Sequence, residues 1–204
     1  MLTIETTSEM SPFTMRADPA SPMSDDEFFG FCQLNPELRI ERTAEGEIIM
    51  MTPAGGETGS RNAAVTAALF FWAKENGEGV AFDSSTGFIL PNGAIRAPDA
   101  AWVRRSRLAR LTPEQKRKFL PLCPDFVIEL RSPTDRIEDL QSKMEEYRDN
   151  GARLGWLIDP EERQAFIYRP GRNVEHLREP SALAGDPDLP GFTLPLADIW
   201  EPNF

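Results

Sequence analysis

The stretch PDFVIELRSPTD, residues 124–135, decides the fold class of this chain. Its first part, residues 125–130, is rich in aromatic and branched apolar residues and is typical of a strand in a central sheet. Because successive side chains of a strand point to opposite faces, Glu129 shares a face with Val127 and Asp125. An ionised carboxylate in a dry core is costly unless it is paired or binds a cation. The position of Glu129 therefore predicts a cleft or a charge partner beside this strand.

A second Pro-Asp stretch, APDAAWV at residues 97–103, leads into another predicted strand. If the two strands are neighbours, Asp99 and Glu129 can point into one cleft. Two such carboxylates suit Mg²⁺, which binds few protein carboxylates and keeps several waters. The alternative is that Asp99 and Asp125 are ordinary turn residues, because Pro-Asp is a common turn dipeptide, and that Glu129 pairs with an arginine.

A helix is predicted over residues 134–150, directly after this strand. Lys143 and Tyr147 are four residues apart and therefore share a helix face. From that face Lys143 can reach the strand ends, where its charge would orient an attacking water or stabilise charge on a phosphate. The alternative is a solvated lysine paired with Asp139 or Glu146, which contributes little.

The remaining sequence predicts an α/β fold with a mixed central β-sheet flanked by α-helices. A capping-box pattern, Ser24 with Glu27, starts an N-terminal helix, and a hairpin follows over residues 38–51. A glycine-rich loop then leads into a second helix, with Glu57 at or just before its first turn. Residues 1–22 show little periodicity and predict a flexible arm.

Composition limits the class of protein and of chemistry. The 204 residues, 40% of them hydrophobic, suit one soluble domain over residues 23–204. We expect a cytoplasmic location, because no apolar run could span a membrane, no secretory signal is recognisable and the two cysteines fit reduced thiols. With His176 as the single histidine, histidine metal sites and Ser-His or Cys-His relays are nearly excluded. Any chemistry therefore falls to carboxylates and lysine.

The charge is unevenly distributed along the chain. The net charge of −11 argues against nucleic-acid binding over the whole surface. Residues 104–118 are the exception, because seven Lys or Arg and one Glu give them a charge of +6 and leave −17 on the rest. Such a segment can contact phosphates locally. It can equally be a solvated amphipathic segment.

Together these stretches resemble the PD-(D/E)xK restriction-endonuclease-like superfamily, and within it the Uma-two family of proposed endonucleases. The resemblance covers about residues 24–204. It rests on five segments in the right order: GEIIMMTPAGGETGSRNAAV, RAPDAAWV, PDFVIELRSPTD, LQSKMEEYRDNGARLGWLIDP and LPGF. It implies a restriction-endonuclease-like core sheet flanked by helices, with a divalent metal at the strand ends: Mg²⁺, for which Mn²⁺ would substitute.

The resemblance also implies roles for single residues. Asp99 matches the Asp of the Pro-Asp motif and Glu129 the acid of the second motif, so both would bind the metal. Glu57 matches the acid of the first core helix, which completes the metal site in related nucleases. The superfamily lysine belongs two residues after Glu129, where this chain has Arg131. Lys143 on the following helix is the expected replacement, because arginine stays charged and cannot accept a proton.

The function that this resemblance implies is metal-dependent hydrolysis of DNA by an endonuclease. The residues expected to be catalytic are Asp99, Glu129, Lys143 and Glu57. The residues expected to contact substrate phosphates are Arg131, Arg104 and Arg105. The alternative is a non-catalytic module on a nuclease fold that binds nucleic acid or protein, which the arginine in the lysine position keeps open. A carboxylate-pair glycosidase is a third class, in which the lysine and the basic stretch would have no role.

A homodimer is a further hypothesis. The arm at residues 1–22 and the apolar N-terminal helix with Phe28, Phe29 and Phe31 could supply its surface. The favoured alternative is that these aromatic side chains cap the core of their own domain.

Overall fold

A computed structural model describes residues 3–5, 13–16, 23–51 and 53–203. The chain divides into two compact units, which we call the N-terminal unit and the core unit. The N-terminal unit comprises residues 1–53, 85–97 and 112–123, and the core unit comprises residues 54–84, 98–111 and 124–204. Compact units within a chain need not fold separately, so the single domain expected over residues 23–204 stays a prediction.

Both units contain β-strands. In chain order the strands of the described residues are β1 (Thr3–Glu5), β2 (Phe13–Arg16), β3 (Arg39–Arg42), β4 (Glu47–Met51), β5 (Gly79–Asp83), β6 (Phe88–Ile89), β7 (Ile95–Arg96), β8 (Ala100–Arg104), β9 (Phe126–Leu130), β10 (Leu154–Asp159), β11 (Gln164–Tyr168), β12 (Glu175–Arg178), β13 (Ala182–Ala184) and β14 (Thr193–Pro195).

Helices connect and cover these strands. In the same described part of the chain they are α1 (Asp25–Leu34), α2 (Gly56–Asn76), α3 (Arg105–Leu108), α4 (Ile137–Asp149) and α5 (Ala197–Trp200), with one 3₁₀ turn at Gln115–Arg117. None of these helices combines the length and the hydrophobicity that crossing a membrane requires.

The N-terminal unit is built on an antiparallel sheet with the strand order β1-β2-β4-β3-β7-β6. The α1 helix starts at the predicted capping box, in which Ser24 and Glu27 bond to each other's backbone N–H. This helix buries Phe28 completely, in a core that also contains Ile40 and Ile48. The predicted helix start and hairpin are confirmed. Phe28 therefore belongs to the core of its own unit and is not available to a partner.

The segment predicted as a flexible arm contributes two strands to this sheet. Thr3–Glu5 pairs with Phe13–Arg16, which in turn pairs with β4. The sequence predicted no regular element here, so these strands correct that part of the expectation. The other residues of 1–22 lie outside the described residues, and the flexibility of the arm stays a prediction.

The core unit contains the predicted mixed sheet, with the strand order β12-β11-β10-β9-β8-β5. The pair β9 and β10 is parallel, and the other neighbouring strands are antiparallel. The strand predicted at residues 125–130 is β9, and all five of its residues are buried. A strand that is covered on both faces carries apolar side chains on both, and Glu129 is the exception that needs explanation.

Two helices cover opposite faces of this sheet. On one face, Val65 and Leu69 of α2 pack in the main core with Phe126 and Ile128 of β9. On the other face, α4 lies so close to β10 that a Cβ added at Gly155 would come within 2.4 Å of the Met144 methyl group. The α/β fold with a mixed sheet between helices is therefore confirmed.

Candidate active site

The pairing of β8 with β9 brings the two predicted acids to neighbouring positions. The strands are antiparallel, with Ala100 opposite Ile128. The next positions in this register are those of Asp99 and Glu129. The backbone N–H of Leu130 donates a 2.8 Å hydrogen bond to Asp99 Oδ2. Only 6% of Asp99 and 3% of Glu129 is exposed, so two nearly dry carboxylates lie where β8 begins and β9 ends.

The α4 helix supplies the charge partner of Glu129. Lys143 Nζ lies 2.9 Å from Glu129 Oε1, and the Tyr147 hydroxyl donates a 3.0 Å hydrogen bond to the same oxygen. The ammonium also lies 5.9 Å from the centre of the Tyr147 ring, within the range of a cation–π contact. These contacts offset the cost of a buried carboxylate, which is tolerated when it is both paired and hydrogen-bonded.

Lys143 is an interior residue of this site. Its side chain is only 12% exposed, so the ion pair with Glu129 is poorly screened by solvent and salt. The alternative of a solvated surface lysine is therefore wrong. The face of the helix that carries Lys143 and Tyr147 is directed to the end of β9, as their four-residue spacing predicts.

Asp99 has a second polar neighbour on α2. Asn62 Nδ2 lies 3.5 Å from Asp99 Oδ1, at the outer limit of a hydrogen bond. The other amide atom, Asn62 Oδ1, is buried and has no hydrogen-bond partner among the described residues. A buried polar atom of this kind marks a place that water or an ion normally fills.

Glu57 lies in the first turn of α2 but does not join the other two acids. Its side chain is 68% exposed and forms a 3.2 Å ion pair with Arg61 one turn later. Among the residues that the structure describes, no three His, Cys, Asp or Glu side chains form a group that could hold a metal ion. The role expected for Glu57 as a third acid at the metal stays a prediction.

A cavity of about 160 Å³ opens at the end of the core-unit sheet. It is lined by Glu57, Arg61, Arg131, Ser132, Pro133, Pro160 and Glu161. A larger cavity of about 430 Å³ lies in the N-terminal unit, and its lining includes none of the predicted site residues. The smaller cavity is therefore the more relevant to the predicted chemistry.

Comparison with known proteins gives the family. The Uma2 (Uma-two) family model, described as "Putative restriction endonuclease", matches residues 25–197. This chain belongs to the Uma2 family. The fold is similar to that of a "putative nuclease belonging to DUF820" from Anabaena variabilis, known from a crystal structure, with a TM-score of 0.72. The two sequences are 24% identical, and the match covers 88% of this chain and 98% of the other. Similarity at this level establishes a shared fold. No curated protein matches the sequence.

In this Uma2 protein, Arg131, which stands where the resemblance leads us to expect a lysine, is tied to the strand ends. Its NH1 lies 3.0 Å from Asp159 Oδ2 and 3.3 Å from Glu161 Oε2, and its Nε donates to the Asp135 carbonyl at 3.2 Å. A guanidinium held in this way stays charged and fixes a geometry, but it does not accept protons. Lys143 is the lysine that contacts the acid site.

The other two arginines that were predicted to contact phosphates lie at the far end of β8. Arg104 follows Asp99 by five strand residues, which is roughly 16 Å. Its backbone N–H donates to Asp125 Oδ2 at 3.0 Å, and Arg105 Nε donates to the Gly77 carbonyl at 2.7 Å. A phosphate contact at these arginines would therefore involve a distant part of the substrate, and it stays a prediction.

The basic stretch at residues 104–118 is divided between the two units of this Uma2 protein. In the N-terminal unit, Lys118 lies 2.9 Å from Asp26 and 3.5 Å from Glu114. The hydrogen bond with Asp26 is the main reason why the pKa of Lys118 is raised. The stretch is therefore not one continuous element. At least one of its basic residues, Lys118, is paired with acidic side chains.

Two contacts of the site were not anticipated from the sequence. The spacing of Tyr147 predicted its helix face, but nothing local predicted its hydrogen bond to Glu129. Asn62 carried no sequence signal, because its approach to Asp99 depends on how α2 crosses the sheet. Both contacts arise between segments that are distant in the chain.

Proposed function

We propose that this Uma2 protein is a metal-dependent phosphodiesterase that cuts the backbone of DNA. One observation carries the proposal: two buried carboxylates, Asp99 and Glu129, lie on neighbouring strands with Lys143 against one of them. Buried carboxylates require compensation, and groups of this kind are concentrated at functional sites. Membership of a family described as "Putative restriction endonuclease" supports a nucleic acid as the substrate.

The residues at this site fit Mg²⁺. Asp99 and Glu129 offer carboxylate oxygens, and Asn62 offers a buried amide oxygen without a protein partner among the described residues. These are the hard oxygen donors that Mg²⁺ prefers, and Mn²⁺ accepts the same set. Such an ion, when bound, lowers the pKa of a coordinated water and withdraws charge from a phosphate. Glu57 is proposed to assist directly or through a water.

The groups of the chain itself have separate tasks in this proposal. The N–H of Leu130 orients the Asp99 carboxylate, and the hydroxyl of Tyr147 orients Glu129. Lys143 carries a positive charge 2.9 Å from Glu129 and orients the attacking water or the scissile phosphate. In hydrolysis the water oxygen bonds to phosphorus while the bond to the leaving sugar oxygen breaks.

Two observations favour a second candidate, a non-catalytic module that binds nucleic acid or protein. Glu129 is already neutralised by Lys143, as in a purely structural ion pair, and Arg131 stands in the position of the superfamily lysine. Folds that carry nuclease sites also occur without the activity. Such a module would bind its partner without cutting it.

Nicking of supercoiled plasmid in Mg²⁺ or Mn²⁺ distinguishes the two functions. The wild-type protein is compared with Glu129→Gln and with Glu138→Gln, which makes the same change at an exposed position of α4. Metal-dependent nicking that only Glu129→Gln loses would support the enzyme. Equal nicking by all three proteins would identify a contaminating nuclease. Binding of the plasmid by folded wild-type protein without nicking would favour the module.

We also infer a cytoplasmic location from the cysteines. Cys32 and Cys123 are both thiols, which fits a reducing compartment. Burial raises the pKa of Cys32 to about 11, so its thiol stays protonated and unreactive at neutral pH. Fractionation of the native cells would test this location.

A homodimer stays a proposal, with its surface to be sought elsewhere than at Phe28. Sedimentation of the intact protein over a range of concentrations tests it. A single monomeric species at high concentration would remove the idea.

A further inference from the structure

Two arginines of the core unit are anchored in the same way and line the same cavity. Arg61 on α2 donates from Nε to the Ile199 carbonyl at 2.8 Å, and Arg131 after β9 donates from Nε to the Asp135 carbonyl at 3.2 Å. Their side chains are only 12% and 20% exposed. A guanidinium whose Nε is tied to the backbone has a fixed plane. Arg131 NH1 is also held by the buried Asp159 at 3.0 Å, so the groups left to bind an anion are the NH2 of Arg131 and the terminal nitrogens of Arg61.

Each of these arginines offers NH1 to an exposed glutamate that also lines the cavity. The Arg61–Glu57 distance is 3.2 Å and the Arg131–Glu161 distance is 3.3 Å. The glutamate side chains are 68% and 62% exposed. Ion pairs with exposed carboxylates are weak, so a stronger anion can replace them. The two carboxylates therefore stand in for the oxygens of an anion that uses the same donors.

The position of the cavity relates it to the proposed catalytic acids. Arg131 is two residues beyond Glu129, and Arg61 precedes Asn62, whose amide contacts Asp99. Ser132 adds a hydroxyl to the lining, and the volume of about 160 Å³ is that of a small group. The lining does not include Lys143, so the cavity and the acid site offer separate positive charges.

We propose that this cavity binds one backbone phosphate of a nucleic acid, next to the phosphate that is cut. Arg61 and Arg131 hold it through their terminal nitrogens, and Glu57 and Glu161 release these arginines as it enters, which leaves Glu57 able to assist at the proposed metal. Guanidinium forks match phosphate oxygens in geometry as well as in charge. The choice of nucleic acid rests on the proposed function, whereas the anion site rests on the paired arginines alone.

Binding of a DNA hairpin without metal tests the proposal. The probe is a fluorescein-labelled hairpin with a duplex stem and a single-stranded tail, and fluorescence anisotropy is measured in EDTA over a range of salt concentrations. We expect Arg61→Gln and Arg131→Gln each to weaken binding about tenfold and to lower the slope of log K against log salt by roughly one, because each removes a phosphate contact.

The matched control is Arg153→Gln, which removes one positive charge from the same unit. Arg153 is half exposed, pairs with Asp188 at 3.6 Å and lies just before β10. The cavity residue Pro160 follows the other end of this strand, roughly 20 Å away. This variant should bind the hairpin like the wild-type protein.

The glutamate variants provide a test of opposite sign. If Glu57 and Glu161 compete with the phosphate, Glu57→Gln and Glu161→Gln should each tighten hairpin binding, by about twofold to fivefold. Loss of any acidic charge also favours DNA binding, so Glu138→Gln on α4, an equally exposed glutamate outside the cavity, is the control and should tighten binding by a smaller factor. Circular dichroism checks that every variant is folded. If an arginine-to-glutamine variant unfolds, Arg61→Lys and Arg131→Lys keep the charge but lose the fork, and they should weaken binding by a smaller factor.

Three results would overturn the site. They are a folded wild-type protein that does not bind the hairpin, glutamate variants that fail to tighten binding, and Arg61→Gln and Arg131→Gln variants that lose no more binding than Arg153→Gln does. Since the assay contains no metal, its outcome is separate from that of plasmid nicking. A protein that shows the expected pattern but does not nick DNA would contradict only the proposed enzyme. A protein that nicks DNA without any effect of the arginines on binding would contradict only this site.

Discussion

Two Pro-Asp pairs, at residues 98–99 and 124–125, begin neighbouring strands of the same sheet and have different surroundings. Asp99 and Asp125 are both buried, with exposures of 6% and 4%. Because β8 and β9 are antiparallel, their starting residues lie at opposite ends of the strand pair. The same dipeptide therefore places one aspartate beside Glu129 and the other far from it.

The surroundings of Asp125 are those of a structural anchor. Its carboxylate accepts from the backbone N–H of Arg104 at 3.0 Å and pairs with Arg107 at 3.1 Å. Its carbonyl accepts from the N–H of Arg153 at 2.8 Å, just before β10. This aspartate ties three segments together, which is a structural role. Burial alone thus does not identify an acid as catalytic. The side chains around the acid distinguish a catalytic role from a structural one.

The largest effect on activity is expected at Glu129, which lies at the Asp99 end of the strand pair and has no counterpart at the Asp125 end. Glu129→Gln removes a negative charge from the proposed metal site and should lower the rate of plasmid nicking by about 10³-fold or more. EDTA, which removes the metal ion, should lower the rate of nicking by the wild-type protein to the same extent. Retention of nicking by a folded Glu129→Gln protein would contradict the assignment of the acid site.

The direct test of the comparison substitutes the two aspartates in the same way. Asp99→Asn should reduce nicking by about 10²-fold or more, because asparagine keeps the shape but loses the charge that binds the cation. Asp125→Asn should leave the activity of the folded protein unchanged and lower its stability by about 1–3 kcal/mol, through its weakened ion pair and hydrogen bond. Nicking rates and urea unfolding together separate the two results. Equal losses of activity in the two variants would show that Asp99 and Asp125 do not differ in function.

Each end of the strand pair also has a positively charged side chain, Lys143 at the Asp99 end and Arg107 at the Asp125 end, and the two can be compared by the same substitution. Lys143→Gln should reduce nicking by about 10²-fold, because it removes the charge proposed to stabilise the transition state. Arg107→Gln removes the charge beside Asp125 and should cost only about 1 kcal/mol of stability. A similar fall in activity for both variants would indicate a general effect of net charge.

The smallest expected effect is at the hydrogen bond that orients Glu129. Tyr147→Phe removes the hydroxyl that donates to Glu129 at 3.0 Å and keeps the ring that packs beside Lys143. We expect nicking to fall by about threefold to tenfold and stability by about 1 kcal/mol. Nicking at saturating metal and thermal unfolding measure the two effects. An unchanged rate would show that the Tyr147 hydroxyl does not position the acid.

Much of the fold could be predicted because its signals are local. Ser24 and Glu27 form the capping box that their spacing predicts, and residues 125–130 contain the buried strand. The face shared by Lys143 and Tyr147 follows from helix geometry in the same way. The strands at Thr3–Glu5 and Phe13–Arg16 were missed, because their pairing depends on a sheet that the local sequence does not reveal.

By itself, the sequence determined most of the elements, the faces of β9 and α4, and the need of Glu129 for compensation, because periodicity and burial costs act within a few residues. Only the tertiary structure decided which aspartate lies beside Glu129, that Lys143 pairs with it, and that Arg61 and Arg131 line one cavity. Those choices depend on strand order, register and helix crossing. They are set by the packing of the whole sheet, which no short stretch of sequence contains.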